Sequence, residues 1–201
     1  LRAALGTGCR TWCGFGGGLG EGERISRRNE GGGAPMTVGW DDLDSTARSY
    51  LALQKDVCDG VYDRRWPAPG KKLSIELIAE HERSLRFFLD VIENRRSTSL
   101  IVGLLPDRKL TMQTRRSDRP LLRVDYATTA ETLRHRNPDG TMVFGPHVHL
   151  DLYGDGIHWA FPIGEQSVVV PEQPGVPSLF WAFQESCGIT GRLRIEQSLG
   201  V

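Results

Sequence analysis

Residues 137–161 read NPDGTMVFGPHVHLDLYGDGIHWAF, and the rest of the chain is organised around this stretch. Asn137-Pro138-Asp139-Gly140 is a turn signature: proline presets φ at the second position, and glycine adopts a backbone conformation closed to other residues. A strand is predicted over 147–153, a turn at Tyr153-Gly154-Asp155-Gly156, and a return strand over 157–163. A two-residue loop sets Asp151 opposite His158 and Leu150 opposite Trp159, and a four-residue loop keeps the same facing. Alternation then places Val148, Leu150, Leu152, Trp159 and Phe161 on a core face, with His147, His149, Asp151 and His158 on the other.

Four such groups on one face have three chemical readings. His147, His149 and His158 could ligate zinc or another divalent metal, with a carboxylate beside them. Alternatively, a histidine pair supplies acid and base for phosphodiester cleavage, since an unperturbed imidazole titrates at about 6.5. Arg123, Arg134 or Arg136 would then stabilise the developing phosphate charge. The third reading is the solvated face of an antiparallel sheet, where polar residues are expected anyway. The alternation also resembles that of the histidine-triad nucleotide hydrolases, but Asp151 stands where that family has its third histidine, so the comparison is set aside.

Working outward, Trp40-Asp41-Asp42 with Leu43, Ala47, Tyr50, Leu51 and Val57 predicts a capped amphipathic helix ending at Gly60. Trp66-Pro67-Ala68-Pro69-Gly70 is a breaker. A second short helix is predicted over 74–81, with Ile75, Ile78 and Ala79 inward and His81 solvated. The period then changes to two. Leu85, Phe87, Leu89 and Val91 face one side; 99–105 is a further strand, and Pro106-Asp107 turns into 109–115, where Leu110, Met112 and Thr114 share a face. Pro120 opens another strand carrying Leu121, Leu122, Val124 and Tyr126. The connections are too short for helical crossovers, so the strands form an antiparallel meander. After a proline-bounded loop, Leu179, Phe180, Phe183 and Cys187 mark a short helix stopped by Gly188. The fold class is therefore α+β: N-terminal helices, an antiparallel β-meander (sheet or partly closed barrel) and a short C-terminal helix.

At 201 residues, 39% apolar and 25% charged, the chain has the composition of one ordinary globular domain. Lys+Arg and Asp+Glu balance at 25 each, so global charge selects neither nucleic acid nor membrane as a partner. No apolar run approaches the roughly 18 residues of a spanning helix, and no secretory signal is visible. The four cysteines are too scattered for a disulfide framework, and Cys58 and Cys187 read as small buried hydrophobes. A reduced, cytoplasmic setting is expected. Residues 1–35 hold 11 of the 24 glycines, without helical or strand periodicity. They are expected to be a disordered leader ahead of a native start at Met36, leaving 36–201 as a single α+β domain.

Charge is uneven locally. Between residues 95 and 136, ten Lys and Arg face four acids, an excess of six. Such a surface suits a phosphate backbone, although it equally suits solvation and edge protection, and aromatic interleaving is absent along it.

From residue 85 to 199 the chain resembles an uncharacterised bacterial family associated with mobile elements and phage-like regions. The resemblance rests on Arg123-Val124-Asp125, on His135-Arg136-Asn137-Pro138-Asp139-Gly140, on His147-Val148-His149, and on Trp159-Ala160-Phe161-Pro162. It raises His135, Asn137, Asp139, His147 and His149 as site residues. It lowers Asp151, which falls where this chain carries two residues more than the family pattern. Two functions follow as expectations. One is a small nucleic-acid-directed hydrolase of RNase, toxin or phage-defence type, using His135, His147, His149 and His158 with Arg123, Arg134 or Arg136, with or without a divalent metal. The other is a non-enzymatic interaction module with a protein partner: an antitoxin, accessory or anti-defence protein.

Overall fold

The computed structural model describes residues 38–95, 108–127, 133–164, 168–171, 175–191 and 193–196. The expected leader, the expected strand over 99–105 with its following turn, and Arg96 and Glu131 of the basic segment lie outside these residues.

The described residues open with a 3-10 turn, Trp40–Asp42, followed by helix α1, Ser45–Ala52. Asp44 sets where α1 begins, its carboxylate accepting from the backbone N–H groups of Thr46 and Ala47, each at 3.0 Å. The helix is shorter than its apolar spacing predicts. Val57, read as helical, belongs instead to strand β1, Lys55–Val57, which follows Leu53 in extended conformation.

Strands β2 (Asp63–Arg65), β3 (Lys72–Ala79), β4 (Arg86–Arg95), β5 (Arg108–Arg116) and β6 (Arg119–Ala127) come next. Strand β3 corrects the expected second helix. Ile75, Leu77 and Ala79 are buried while Ser74 and Glu76 are exposed, a period of two. The spacing of Ile75, Ile78 and Ala79 also fits a helical face, and without Leu77 in the count the two periods cannot be separated. Pairing with β4 decides the matter, setting Ile75 opposite Leu89 and Leu77 opposite Phe87.

The remaining elements are β7 (Arg134–Arg136), β8 (Met142–Phe144), β9 (His147–Leu150), β10 (Trp159–Pro162), α2 (Val176–Ser186) and β11 (Arg194–Glu196). Among the described residues, seven strands form an open antiparallel sheet in the order β1-β3-β4-β5-β6-β9-β10. The meander is thus a sheet rather than a closed barrel. Two small pairs stand apart from it: β11 with β2, parallel, and the ribbon β7–β8, antiparallel.

One sheet face carries Phe87, Leu89, Met112, Leu122, Val124 and Val148, all fully buried, in one cluster with Ala47 and Leu51 of α1 and Leu179 and Phe183 of α2. The buried Lys55 ties the C-terminal ends of both helices together. Its ammonium donates to the carbonyls of Leu51, Leu53 and Cys187, at 3.3, 2.8 and 2.8 Å. Gly188 follows α2 with φ of 65°, and a Cβ there would lie 2.3 Å from the Leu53 carbonyl oxygen, so only glycine fits. The opposite face of the sheet is polar, and the site lies there.

Candidate metal centre

Register brings the site together from three strands. On the polar face, His147 of β9 stands opposite Asp125 of β6, and His149 opposite Arg123. On the other side of β6, Thr111 of β5 is the partner of Asp125. Strand alternation explains why Val148 and Val124 point into the core while their neighbours converge here.

Asp125 is the hub. Its Oδ1 accepts from Thr111 Oγ1 at 2.7 Å and Arg123 Nε at 3.2 Å, and its Oδ2 accepts from Arg123 Nη2 at 2.8 Å. His149 Nε2 lies 3.3 Å from Oδ2, and His147 Nε2 lies 3.7 Å from it. His147 Nδ1–H donates to the Gly145 carbonyl at 2.7 Å, because a carbonyl oxygen can only accept. Its Nε2 therefore carries the bare lone pair, aimed at an oxygen that is itself an acceptor.

All three groups are buried, with 4%, 2% and 5% of the surface of Asp125, His147 and His149 exposed. Burial pushes the Asp125 carboxyl upward, but the hydrogen bonds from His149 and Thr111 and the charge of Arg123 outweigh it and hold it far below the ordinary carboxylate range. Burial lowers both imidazoles, more than the nearby Asp125 raises them. The cluster at neutral pH is thus one carboxylate and two neutral imidazoles, and a cation would need only to displace the His149 Nε2 proton that bridges to Asp125.

The geometry suits one ion. With metal–ligand bonds of about 2.05 Å, a tetrahedral site has ligand–ligand edges of about 3.3 Å. The two Oδ2–Nε2 separations, 3.3 and 3.7 Å, sit close to that edge. The three ligand atoms lie within 4.8 Å of one another, and among the described residues this is the group of three that can hold a metal.

His135 of β7 borders the cluster, its ring centroid 4.7 Å from that of His149 and 6.0 Å from that of His147. Its Nε2–H donates to the His158 carbonyl at 3.0 Å. Asn137 holds the ribbon in place. Its amide donates to the Ala160 carbonyl at 3.1 Å and accepts from the Ala160 N–H at 2.8 Å, doing for the β10 edge what a neighbouring strand would do.

The other residues singled out from the sequence stand elsewhere. Trp159 does pair with Leu150, as the hairpin register predicts, but β9 ends at Leu150 and β10 begins at Trp159. The His158 side chain is exposed, and only its backbone carbonyl reaches the site. Asp151 is fully buried on a different errand, accepting from Arg119 at 2.8 Å and from the Gly154 N–H at 2.6 Å. Asp139 is exposed and caps its own turn through Thr141. Arg134 and Arg136 are exposed on the ribbon, away from the cluster.

Asp125 is the residue that reasoning from the histidines misses. Its signal was present, since Arg123 and Asp125 share a strand face two residues apart. What was lacking was the knowledge that β9 pairs with β6 across the intervening ribbon.

Beside the cluster, Arg123 and Thr111 also line a depression of about 270 Å³ whose other walls include Lys72, Asp90, Lys109 and Gln113. The buried Asp90 is neutralised there by Lys72 and Arg115, each at 2.7 Å. Two larger depressions, of about 590 and 460 Å³, lie along α2, and no histidine lines either. No described helix is long and apolar enough to cross a membrane.

The chain belongs to a family of unknown function (DUF6978), whose model matches residues 43–189, a span that includes both helices and every residue of the cluster. No curated protein and no solved structure matches it.

Proposed function

We propose that Asp125, His147 and His149 hold one divalent metal ion, and that the protein is a metal-dependent hydrolase of nucleic-acid phosphodiesters. The observation that carries this reading is the convergence of a buried carboxylate oxygen with two imidazole nitrogens at ligand-edge distances. A bare lone pair facing an ionised oxygen in a buried site is repulsive until a cation or a proton lies between them. Three protein ligands leave coordination positions for water and substrate, the arrangement of catalytic rather than structural sites.

Each ligand is oriented from behind, as working metal sites require. The Gly145 carbonyl fixes the His147 ring, and Thr111 and Arg123 fix the carboxylate. When bound, a divalent ion supplies a Lewis acid and an activated water. His135, beside the cluster, is placed to move a proton on or off a bound group through the nitrogen that His158 does not occupy. Lys109 adds positive charge to the neighbouring depression beside Lys72 and Arg123, which are themselves paired with Asp90 and Asp125, and this suits a negatively charged substrate. An interaction module would carry its histidines on a solvated surface; the burial of His147 and His149 favours the enzymatic reading.

The test is metal content and cleavage together. The full chain, titrated with zinc or manganese, takes up one equivalent and cleaves RNA or DNA oligonucleotides in an EDTA-sensitive way. The His147→Ala/His149→Ala double variant does neither. Wild-type protein that binds no divalent ion and cleaves neither polymer sinks the proposal.

A further inference from the structure

Between the arginines of the basic segment the sequence places one aromatic residue, Tyr126, and the fold sets a second, Phe144, beside two of them. In the β7–β8 ribbon, Arg134 lies opposite Phe144, Arg136 opposite Met142, and His135 opposite Val143. Directly paired residues of an antiparallel ribbon share a face. One face is therefore Arg134, Arg136, Met142 and Phe144; the other is His135 and Val143. Burial agrees with this division: Phe144 is 65% exposed and Met142 41%, whereas Val143 is buried. Among the described residues neither arginine has a carboxylate partner.

We infer that the outer face of this ribbon is a docking platform for single-stranded nucleic acid, with a base stacked on Phe144 and successive phosphates held by Arg134 and Arg136. Charge selects the occupant. A protein partner would have to bring carboxylates to match two guanidinium groups or leave them desolvated, whereas a nucleic-acid strand carries a negative charge at every residue. An aromatic face flanked by cations stacks any base, because every base has a π-face. A duplex keeps its bases stacked within itself, so the platform selects unpaired strands. Two arginines two residues apart on a strand stand about 6.6 Å from each other, close to the spacing of phosphates along an extended single strand. The ribbon's inner face carries His135 to within 4.7 Å of His149, so a strand held outside is anchored to the element that borders the cluster. The inference deepens the hydrolase reading by naming the form of its substrate, and it rests on that reading for its purpose but not for its test.

The experiment is fluorescence anisotropy of a labelled oligothymidine on the full chain in EDTA, where metal and cleavage play no part. Phe144→Ala is expected to weaken binding by about ten- to a hundredfold, and Phe144→Tyr to retain it. The Arg134→Gln/Arg136→Gln variant is expected to flatten the dependence of log affinity on log salt by about 1.4, two phosphates at about 0.7 each. Wild-type affinity in Phe144→Ala overturns the inference. So does failure of the wild type to bind the oligonucleotide, or a wild-type dimer that Phe144→Ala dissociates, since a second copy would then be the occupant. Because metal is absent throughout, a failed hydrolase leaves this result standing, and a failed platform leaves the metal titration standing.

Discussion

Asp125 receives three different side chains at once, from Thr111, Arg123 and His149, and that crowding defines its chemistry. Asp125→Asn changes almost no volume but removes the charge and turns an acceptor into a donor facing Arg123. We expect zinc affinity to fall at least a hundredfold in this variant, read by competition with a chromophoric chelator; retained affinity would exclude Asp125 as a ligand. Lys55 shows the opposite kind of buried charge. Burial pushes its ammonium down to about 8 from 10.5, so the unfolded chain holds more protons between those values and stability rises with pH through that window. Burial raises the Cys187 thiol to about 12, which opposes the rise once the unfolded thiol ionises above 9. Urea midpoints should therefore climb between pH 8 and 9 and flatten beyond. Lys55→Met should abolish the climb and cost about 2–3 kcal/mol at pH 7 by orphaning helix-end carbonyls. A wild-type midpoint that falls between pH 8 and 9 would refute this account. Neither residue could be placed from sequence alone. A lysine in Leu-Gln-Lys-Asp reads as surface, and an aspartate between valine and tyrosine gains its meaning only from the strand next door.

At the scale of elements, legibility follows period and pairing. The strands carrying Phe87, Leu89 and Val91 and Leu110, Met112 and Thr114 were readable because their apolar faces alternate cleanly. The short stretch over 74–81 satisfied both periods, and pairing with β4 resolved it. The hairpin register around Leu150 and Trp159 follows the alternation of its apolar residues, while the early end of β9 left residues 151–158 as a loop and released Asp151 and His158 from the shared face. Asn137 makes both of its amide hydrogen bonds to the backbone of Ala160 and, with the bond from His135 to the His158 carbonyl, ties the ribbon β7–β8 to the sheet edge. Asn137→Ala leaves a buried N–H and a buried carbonyl without partners, at about 1–3 kcal/mol each. We expect faster amide exchange across the ribbon in this variant while β3 to β6 stay protected. Uniform loss of protection throughout the sheet would show instead that the ribbon does not open on its own.

For the whole molecule, the decisive feature is that β9 returns to pair with β6 after the chain has built a separate ribbon. The strand order β5-β6-β9-β10 has no local signal, because the hydrophobic pattern of β6 and β9 is the same whichever neighbour each takes. This long-range pairing also determines where the proposed metal binding would act. The proposed ligands come from β6 and β9, so an ion bound to them would clamp the meander to the β9–β10 hairpin, and the unfolded chain has no such site. Binding to the native state alone stabilises it by about 2.7 kcal/mol at a hundredfold excess over Kd. For a chain of this size that is a rise in Tm of about 5–10 °C. Scanning calorimetry with graded zinc should show a rise that grows with the logarithm of free metal in the wild type and is absent in Asp125→Asn. A zinc-induced rise of equal size in both proteins would place the ion elsewhere, and an unchanged wild-type Tm at saturating zinc would mean that β6 and β9 do not share one.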